Sequence, residues 1–169
     1  DHALQHIRSV GQVPDFIHGH YADAGLVAAR VAGLLGAPMI FTGHSLGREK
    51  HRQLLKKGIK TEKIESQYNI SQRIEAEEIA LGTAAMIVAS THQEVEEQYA
   101  KYDNYHPSRM EVIPPGVDIS RYRPPNKDEA RPKIFQQIER FLQAPDKPMI
   151  LALSRADERK NITTLVKAY

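Results

Sequence analysis

The sequence predicts an α/β protein whose parallel β-sheet is covered by helices on both faces. Short apolar segments alternate with longer helical segments, which is the order expected when strands are joined by helical crossovers. The apolar segments are continuous rather than alternating, as is typical of strands buried on both faces of a parallel sheet. The predicted strands are residues 15–18, 38–42, 86–89, 110–113 and 148–153.

The predicted helices lie between these strands and have recognisable ends. The first, residues 22–35, is apolar on both sides and is followed by Gly36, the residue type that most often closes a helix. Ser90 or Thr91 is a suitable N-cap for helix 92–101. A last helix is expected to begin at Asn161 or Thr163, and the remaining helices are residues 48–57, 69–81 and 130–142.

Proline-rich segments divide the chain. Residues 114–116 (Pro-Pro-Gly) and 124–125 (Pro-Pro) bracket a stretch that cannot continue a helix or a strand. We therefore predict that residues 1–113 are the later part of one domain, residues 114–147 a crossover with a helix, and residues 148–169 the start of a second α/β domain. The chain begins without Met and ends in a helical segment, and we interpret it as an internal piece of a longer polypeptide.

Composition excludes several functional classes. The absence of Cys removes disulfides, thiolate metal sites and thiol nucleophiles. No segment reaches the roughly 18 apolar residues of a membrane helix, and a net charge of +2 is too small to indicate a general nucleic-acid binder. We expect a cytoplasmic protein that acts on small molecules, without a nucleic-acid or membrane partner.

One motif favours a serine hydrolase. The segment Gly43-His44-Ser45-Leu46-Gly47 fits the Gly-x-Ser-x-Gly elbow between a strand and a helix. The following helix is highly charged, however, whereas an elbow helix is buried. Hydrolases of this fold also place their catalytic His last, and the last His here is His106, so the acid would have to be Asp103 or earlier. An esterase that uses the Gly43-Ser45-Gly47 elbow is the alternative enzyme hypothesis.

A metal site is weakly indicated. His18 and His20 share one face of a strand, and Asp23 follows them. No third ligand is obvious, so we predict no metal. The chain has neither a P-loop nor a Gly-x-Gly-x-x-Gly sequence, so these two phosphate-binding loops are not supported.

Polar side chains follow the predicted strands at the edge where ligands bind. In open parallel sheets that edge lies beyond the carboxyl ends of the strands. Side chains placed there are His18, His20 and Tyr21 after the first strand, and His44 and Ser45 after the second. These are the candidate binding residues of the first domain.

Cationic side chains accompany these strand ends. Residues 48–63 contain seven Lys or Arg against two Glu; Lys50 lies one and a half turns beyond His44, and Arg73 lies on a later helix. In the second domain Arg155 and Lys160 are five residues apart across a turn. The arginine fork and the lysine point charge together suit a diphosphate. The alternative is that all of these are solvated surface charges.

Five segments together resemble one family. They are residues 18–25 (HGHYADAG), 41–47 (FTGHSLG), 73–78 (RIEAEE), 112–118 (VIPPGVD) and 154–161 (SRADERKN). In this order they are similar to the sucrose-phosphate synthases, which are retaining glycosyltransferases of the GT-B architecture with two Rossmann-like domains facing a cleft. The resemblance covers nearly the whole chain. Sucrose synthase is related, but its segment around the second strand end is not similar.

The resemblance implies a division of labour between the two domains. The first would bind the acceptor, fructose 6-phosphate, and the second UDP-glucose or another NDP-glucose, giving sucrose 6-phosphate. Lys50 and Arg73 would hold the acceptor phosphate, with Tyr21 and Ser45 near its sugar. His44 would lie against the transferred glucose. Arg155 and Lys160 would neutralise the departing diphosphate, so no metal or other cofactor is expected in the transfer step.

Two departures from the family pattern bear on these expectations. Close relatives often have two adjacent arginines where this chain has Gln72-Arg73, so one cation near the acceptor phosphate is missing and the identity of the acceptor is less certain. The paired glutamates that hold the donor are expected further along the second domain. The chain alone is therefore expected to be inactive, and a non-catalytic phosphosugar-binding relative is the competing binding hypothesis.

Overall fold

The computed structural model describes residues 2–126 and 128–169, with the side chain of residue 159 left aside. It divides into two units, one that ends at Val117 and one that spans Asp118–Tyr169. Each is described by itself. No helix in the described part of the chain is both long enough and apolar enough to cross a membrane.

The first unit is built on a parallel sheet of four strands in the order β1-β2-β3-β4. Register pairs Gly19 with Phe41, Phe41 with Ile87, and Ile87 with Met110. This arrangement confirms the predicted fold class. The strands are β1 (Ile17–His20), β2 (Met39–Thr42), β3 (Met86–Ala89) and β4 (Met110–Val112).

Helices connect the strands of this unit. Two of them, α1 (His2–Val10) and α4 (Thr61–Tyr68), were not predicted from the sequence. The predicted helix 92–101 is a π-helical turn (Glu94–Gln98) followed by a 3₁₀ turn (Tyr99–Lys101). The other helices of the unit are α2 (Tyr21–Leu35), α3 (Gly47–Lys56) and α5 (Ile70–Thr83), and a 3₁₀ turn (Pro107–Arg109) precedes β4.

The core lies between the sheet and helices α2 and α5. Phe41 and Ile87 are completely buried on that face. Gly25 lets α2 approach the sheet closely, because a Cβ at this position would lie 2.6 Å from Cε2 of Phe41. Helix α2 ends as predicted at Gly36, whose φ of 66° is the left-handed conformation that closes helices. The carboxyl ends of β1 and β2 are thereby fixed side by side.

The second unit contains less regular structure than the sequence predicts. The predicted helix 130–142 is reduced to α6 (Ile134–Glu139), and α7 (Ile162–Ala168) follows Asn161 as predicted. The predicted strand 148–153 is wrong, since this segment has no regular structure. A strand needs a neighbour to pair its backbone groups, and no described segment of this unit supplies one. Leu151 and Leu153 are accordingly exposed. The proposed domain limits stay predictions.

The close contact at Gly25 gives a stability prediction. We expect Gly25→Ala to lower the free energy of unfolding by about 1–3 kcal/mol, because the added methyl group overpacks against the buried Phe41 ring. Gly33→Ala is the matched control on the same helix, where nothing lies within 4 Å of the added Cβ. Its better helix propensity should raise stability by about 0.5–1 kcal/mol. Urea denaturation measures both changes, and equal effects would contradict this account of the packing.

Candidate functional site

Two strained residues mark the carboxyl ends of β1 and β2. Tyr21 directly follows β1 with a φ of 68°, and His44 follows β2 by two residues with a φ of 57°. For residues other than glycine, this left-handed conformation costs roughly 1–2 kcal/mol. Such strain persists only where the surroundings fix it, and it is concentrated at functional sites. The strand-end edge predicted from the sequence is therefore the first place to look for function.

The loop after β2 is held by a buried carboxylate, that of Glu77 on α5. Its side chain is 0% exposed. The backbone N–H of Gly47 donates to both carboxylate oxygens at 3.1 and 2.9 Å, at the N-terminus of α3 where negative charge is favoured. A Cβ on Gly47 would lie 2.8 Å from Oε2 of Glu77, so glycine is needed for this approach. The sequence analysis assigned no part to Glu77, because nothing in the local pattern distinguishes it from the exposed Glu75.

Two tyrosines complete the support of this loop. The hydroxyl of Tyr99 accepts a hydrogen bond from Gly43 N at 3.1 Å, and that of Tyr102 accepts one from Arg48 N at 3.1 Å and donates to Glu77. Burial raises the pKa of Tyr99 to about 12 and raises the pKa of Tyr102 further. Both hydroxyls therefore keep their protons. Neither tyrosine was singled out by sequence reasoning, because nothing in the pattern distinguishes them from core aromatics.

Arg73 ties the ends of β1 and β2 to helix α5. Its Nε donates to Glu77 Oε1 at 3.1 Å, and its Nη2 donates to the backbone oxygen of Ser45. The guanidinium carbon lies 4.4 Å from the centroid of the Tyr21 ring. The side chain is only 10% exposed, and two of its nitrogens, Nε and Nη2, already donate hydrogen bonds within the protein. Arg73 thus has a clear structural part in positioning both strand ends.

Lys50 differs from the other cations of its helix. Its Nζ lies 3.8 Å from the centroid of the Tyr68 ring. Burial lowers the pKa of Lys50, and the positive charge of Arg73 lowers it further. Among residues 2–126 and 128–169, no carboxylate forms a salt bridge with it. A half-buried ammonium beside a guanidinium, without a compensating anion, is an environment in which a bound anion is stabilised.

Neighbouring cations on α3 are already paired. Arg48 contacts Glu78 at 2.7 Å and Asp103 at 3.1 Å, and Arg52 contacts Glu49 at 2.5 Å. The hydrogen bond from Arg52 is the main cause that lowers the pKa of Glu49 to about 2. The basic segment predicted from the sequence is therefore not one uniform anion site, and Lys50 is its member that faces a cleft.

The cleft beside Lys50 has a volume of about 530 Å³. Three of the four residues predicted to hold the acceptor line it, namely Tyr21, Lys50 and Arg73. Ser45 is not among the lining residues, but its Oγ lies 3.4 Å from Arg73 Nη2. Sequence reasoning missed several lining residues that come from α2, α4 and the start of α5, among them Arg30, Tyr68 and Asn69. No spacing in the sequence links these elements, so only the fold brings them together.

Three histidines cluster at the carboxyl ends of β1 and β2. His20 Nδ1 lies 2.9 Å from His44 Nε2, and His18 Nε2 lies 2.9 Å from Thr42 Oγ1. Burial lowers the pKa of His18, and the neighbouring His20 and His44 lower it further. In the described part of the chain, no group of three or more His, Asp and Glu side chains is arranged to hold a metal ion.

The geometry does not support the serine hydrolase alternative. Ser45 Oγ lies 3.4 Å from a guanidinium nitrogen, and a guanidinium cannot remove a proton from the hydroxyl. His44 Nε2 is bonded to His20 rather than to the serine. The strained residue of the loop is His44, not Ser45. A nucleophilic serine needs an imidazole within hydrogen-bond reach, and this loop does not supply one.

Arg155 and Lys160 lie in the second unit, on one tight turn. Asp157 N donates to Arg155 O at 2.8 Å, and Lys160 N donates to Asp157 O at 2.9 Å. Both cationic side chains are exposed. The turn places the two on a short loop before α7, as the sequence predicted, and their part in binding stays a prediction.

Comparison with known proteins now defines the class. The sequence model of the family described as "Sucrose synthase first GT-B domain" matches residues 1–119. A solved sucrose-phosphate synthase from Thermosynechococcus elongatus superposes with a TM-score of 0.63, at 23% identity over 98% of this chain and 36% of that one. Together with the parallel sheet and its strand-end cleft, these findings define a GT-B-type α/β domain.

The chain belongs to this sucrose synthase GT-B domain family. It is 42% identical to "Probable sucrose-phosphate synthase 2" from Arabidopsis thaliana, over 100% of this chain and 20% of the relative. It is 44% identical to "Sucrose-phosphate synthase" from Zea mays, over 93% of this chain and 18% of the relative. The resemblance drawn from the five sequence segments is confirmed, and the chain spans about a fifth of the length of these curated relatives.

The central position of Glu77 gives a second prediction. We expect Glu77→Gln to lower the free energy of unfolding by about 3 kcal/mol, because Arg73 is left without its counter-ion. This is the low end of the cost of removing one partner from a buried ion pair. Glu75→Gln is the control, since Glu75 is exposed on the same helix. Chemical denaturation measures both, and a loss in the control as large as that in Glu77→Gln would contradict the assigned role.

Proposed function

We propose that the protein of which this chain forms part transfers glucose from UDP-glucose, or another NDP-glucose, to fructose 6-phosphate with retention, giving sucrose 6-phosphate. The names of these relatives, both sucrose-phosphate synthases, support the reaction class. The observation that carries the proposal is that Lys50 and Arg73 line one cleft at the carboxyl ends of β1 and β2. The first unit would thus be the acceptor-binding domain.

The cleft is lined by three cationic side chains, Arg30, Lys50 and Arg73, against two carboxylates, Asp23 and Glu75, so a phosphorylated acceptor would meet a net positive charge. Lys50 lacks a carboxylate partner among the described residues, and Arg73 lies close enough to lower its pKa. A phosphate monoester carries a charge of about −1.5 to −2 at pH 7, with three strong acceptor oxygens. Bound in the cleft, it would bring Lys50 the counter-charge that the described residues do not supply. In this proposal Lys50 is the primary phosphate ligand. Arg73 lines the same cleft and attracts the phosphate through its positive charge.

The remaining residues of the first unit would position the sugars. Tyr21 lines the cleft with an exposed ring, and the exposed Ser45 hydroxyl lies beside Arg73. In this proposal both contact the acceptor sugar. His44 is exposed on the same loop, with one ring nitrogen bonded to His20, and would lie against the transferred glucose. Gln72 also lines the cleft, where relatives often have arginine, so the acceptor phosphate would meet fewer cations here.

The second unit would begin the donor site. Arg155 and Lys160 are exposed on one turn and in this proposal neutralise the diphosphate as it leaves. Fixed positive charges can stabilise a departing anion as a metal ion does elsewhere. We therefore propose that the transfer step needs no metal or other cofactor, and that the partners are the two small-molecule substrates in the cytoplasm, together with the rest of the protein's own chain.

Lys50→Ala in the full-length enzyme tests the acceptor site. We expect a rise in the KM for fructose 6-phosphate of about 10- to 100-fold, because one charge-assisted hydrogen bond contributes roughly 1.5–3 kcal/mol. The KM for UDP-glucose should change little. Steady-state kinetics with each substrate varied in turn measures both constants.

Lys57→Ala is the matched control, because Lys57 is an exposed lysine just after the same helix and does not line the cleft. It should leave both KM values unchanged. Equal increases for the two substrates in Lys50→Ala would contradict the assignment. Binding of fructose 6-phosphate by a full-length protein that does not transfer glucose would instead favour the non-catalytic relative.

The lowered pKa of Lys50 predicts a pH dependence. A lysine is charged below its pKa, so acceptor affinity falls as the pH rises through the Lys50 pKa, which lies below the ordinary 10.5. The KM for fructose 6-phosphate should therefore begin to rise at a lower pH than that at which an ordinary lysine loses its proton. In Lys50→Arg the charge persists, and this rise should disappear. An identical alkaline profile in both proteins would show that another group is responsible.

A further inference from the structure

His44 is an exposed imidazole whose position is set by another histidine. The chain leaves β2 through Gly43, and His44 adopts the left-handed conformation, with a φ of 57°. Register pairs His20, the last residue of β1, with Thr42 of β2. His20 therefore lies beside the strand end from which His44 emerges. The centroids of the two rings are 5.1 Å apart and their planes are inclined by only 19°.

The contact between the rings is specific for one nitrogen of each. His20 Nδ1 and His44 Nε2 are 2.9 Å apart, the length of a good hydrogen bond. Two imidazole nitrogens at this distance share one proton, so one ring donates and the other accepts. A neutral imidazole carries a single N–H, which means that this bond also decides whether His44 Nδ1 bears a proton. The hydrogen bond thus sets the orientation of His44 and couples its tautomer to that of His20.

His20 is itself held in place. Its ring centroid lies 4.0 Å from that of His18, whose Nε2 is bonded to Thr42 Oγ1 at 2.9 Å. A row of three rings therefore runs from the sheet to the loop: Thr42 fixes His18, His18 packs on His20, and His20 is bonded to His44. Such a row restricts the rotation of a ring that would otherwise be free at an exposed position.

We propose that His20 is a positioning residue for glycosyl transfer: it occupies His44 Nε2 and so leaves His44 Nδ1 as the nitrogen that meets the transferred sugar. This inference rests on the proposed function, in which His44 lies against the glucose. His20 does not touch the sugar in this arrangement. Its loss affects transfer because a loosely held contact group reaches the productive geometry only part of the time.

Two substitutions at His20 in the full-length enzyme separate positioning from folding. His20→Ala removes the bond to His44, and we expect kcat to fall on the order of 10- to 100-fold while the KM for fructose 6-phosphate stays nearly unchanged. His20→Asn places an amide near the former Nδ1 position, which can turn to donate or accept, and it should recover most of kcat. His92→Ala, an exposed histidine elsewhere in the unit, is the control and should match the wild type.

A second measurement does not depend on activity. Diethyl pyrocarbonate acylates unprotonated imidazole nitrogens, and peptide mass spectrometry reports the rate at His44 alone. Acylation occurs mainly at Nε2, the less hindered ring nitrogen. With Nε2 engaged by His20, His44 should react slowly in the wild type and in His20→Asn, and several-fold faster in His20→Ala. Equal His44 rates in all three proteins would overturn the inference, as would an unchanged kcat in His20→Ala, or losses as large in His20→Asn as in His20→Ala.

The two measurements also distinguish the inference from the function on which it rests. If the wild-type protein transfers no glucose to fructose 6-phosphate, the proposed function fails, while the His44 rates still report whether His20 engages its Nε2. If the wild type is active and the His44 rates are equal, the positioning role fails and the proposed function stands.

Discussion

The candidate site depends on one buried negative charge. The backbone N–H of Gly47 is shared between both oxygens of Glu77, and the Tyr102 hydroxyl and Arg73 each donate one further hydrogen bond. A buried carboxylate is tolerated only when its oxygens are satisfied in this way. Because its partners come from the β2–α3 loop, α5 and the 3₁₀ turn that precedes Tyr102, satisfying Glu77 also fixes the loop that carries His44 and Ser45. Stability and the geometry of the site are thus consequences of the same interaction.

Around this anchor, cations divide into two kinds. Arg73 and Arg48 are engaged by carboxylates and hold elements together. Lys50 is half-buried, its pKa is lowered, and it has no carboxylate partner among the described residues. The sequence shows only a run of basic residues, whereas the ion pairs decide which of them is available to an anion. His44 and His20 are both exposed, and in our proposal only His44 meets the sugar while His20 acts through it.

Local sequence patterns predicted the parts of the fold that depend on local chemistry. The strand at 86–89, the helix closed by Gly36 and the strand-end positions of Tyr21 and His44 all follow from apolar runs and caps. The predictions failed where distant partners decide the outcome. Among the described residues of its unit, no strand is available to pair with the apolar segment 148–153. Glu77 resembles its exposed neighbour Glu75 until α5 is packed against the loop. Lining residues of the cleft from α2 and α4 were missed for the same reason.

The most direct test of the acceptor cleft is a crystal structure of the full-length enzyme with fructose 6-phosphate. Our account predicts a phosphate oxygen within about 4 Å of Lys50 Nζ, the usual limit for an ion pair, with Arg73 still bonded to Glu77 and the sugar beside Tyr21. A phosphate bound away from Lys50, with the cleft beside Tyr21 and Arg73 empty of ligand, would contradict it.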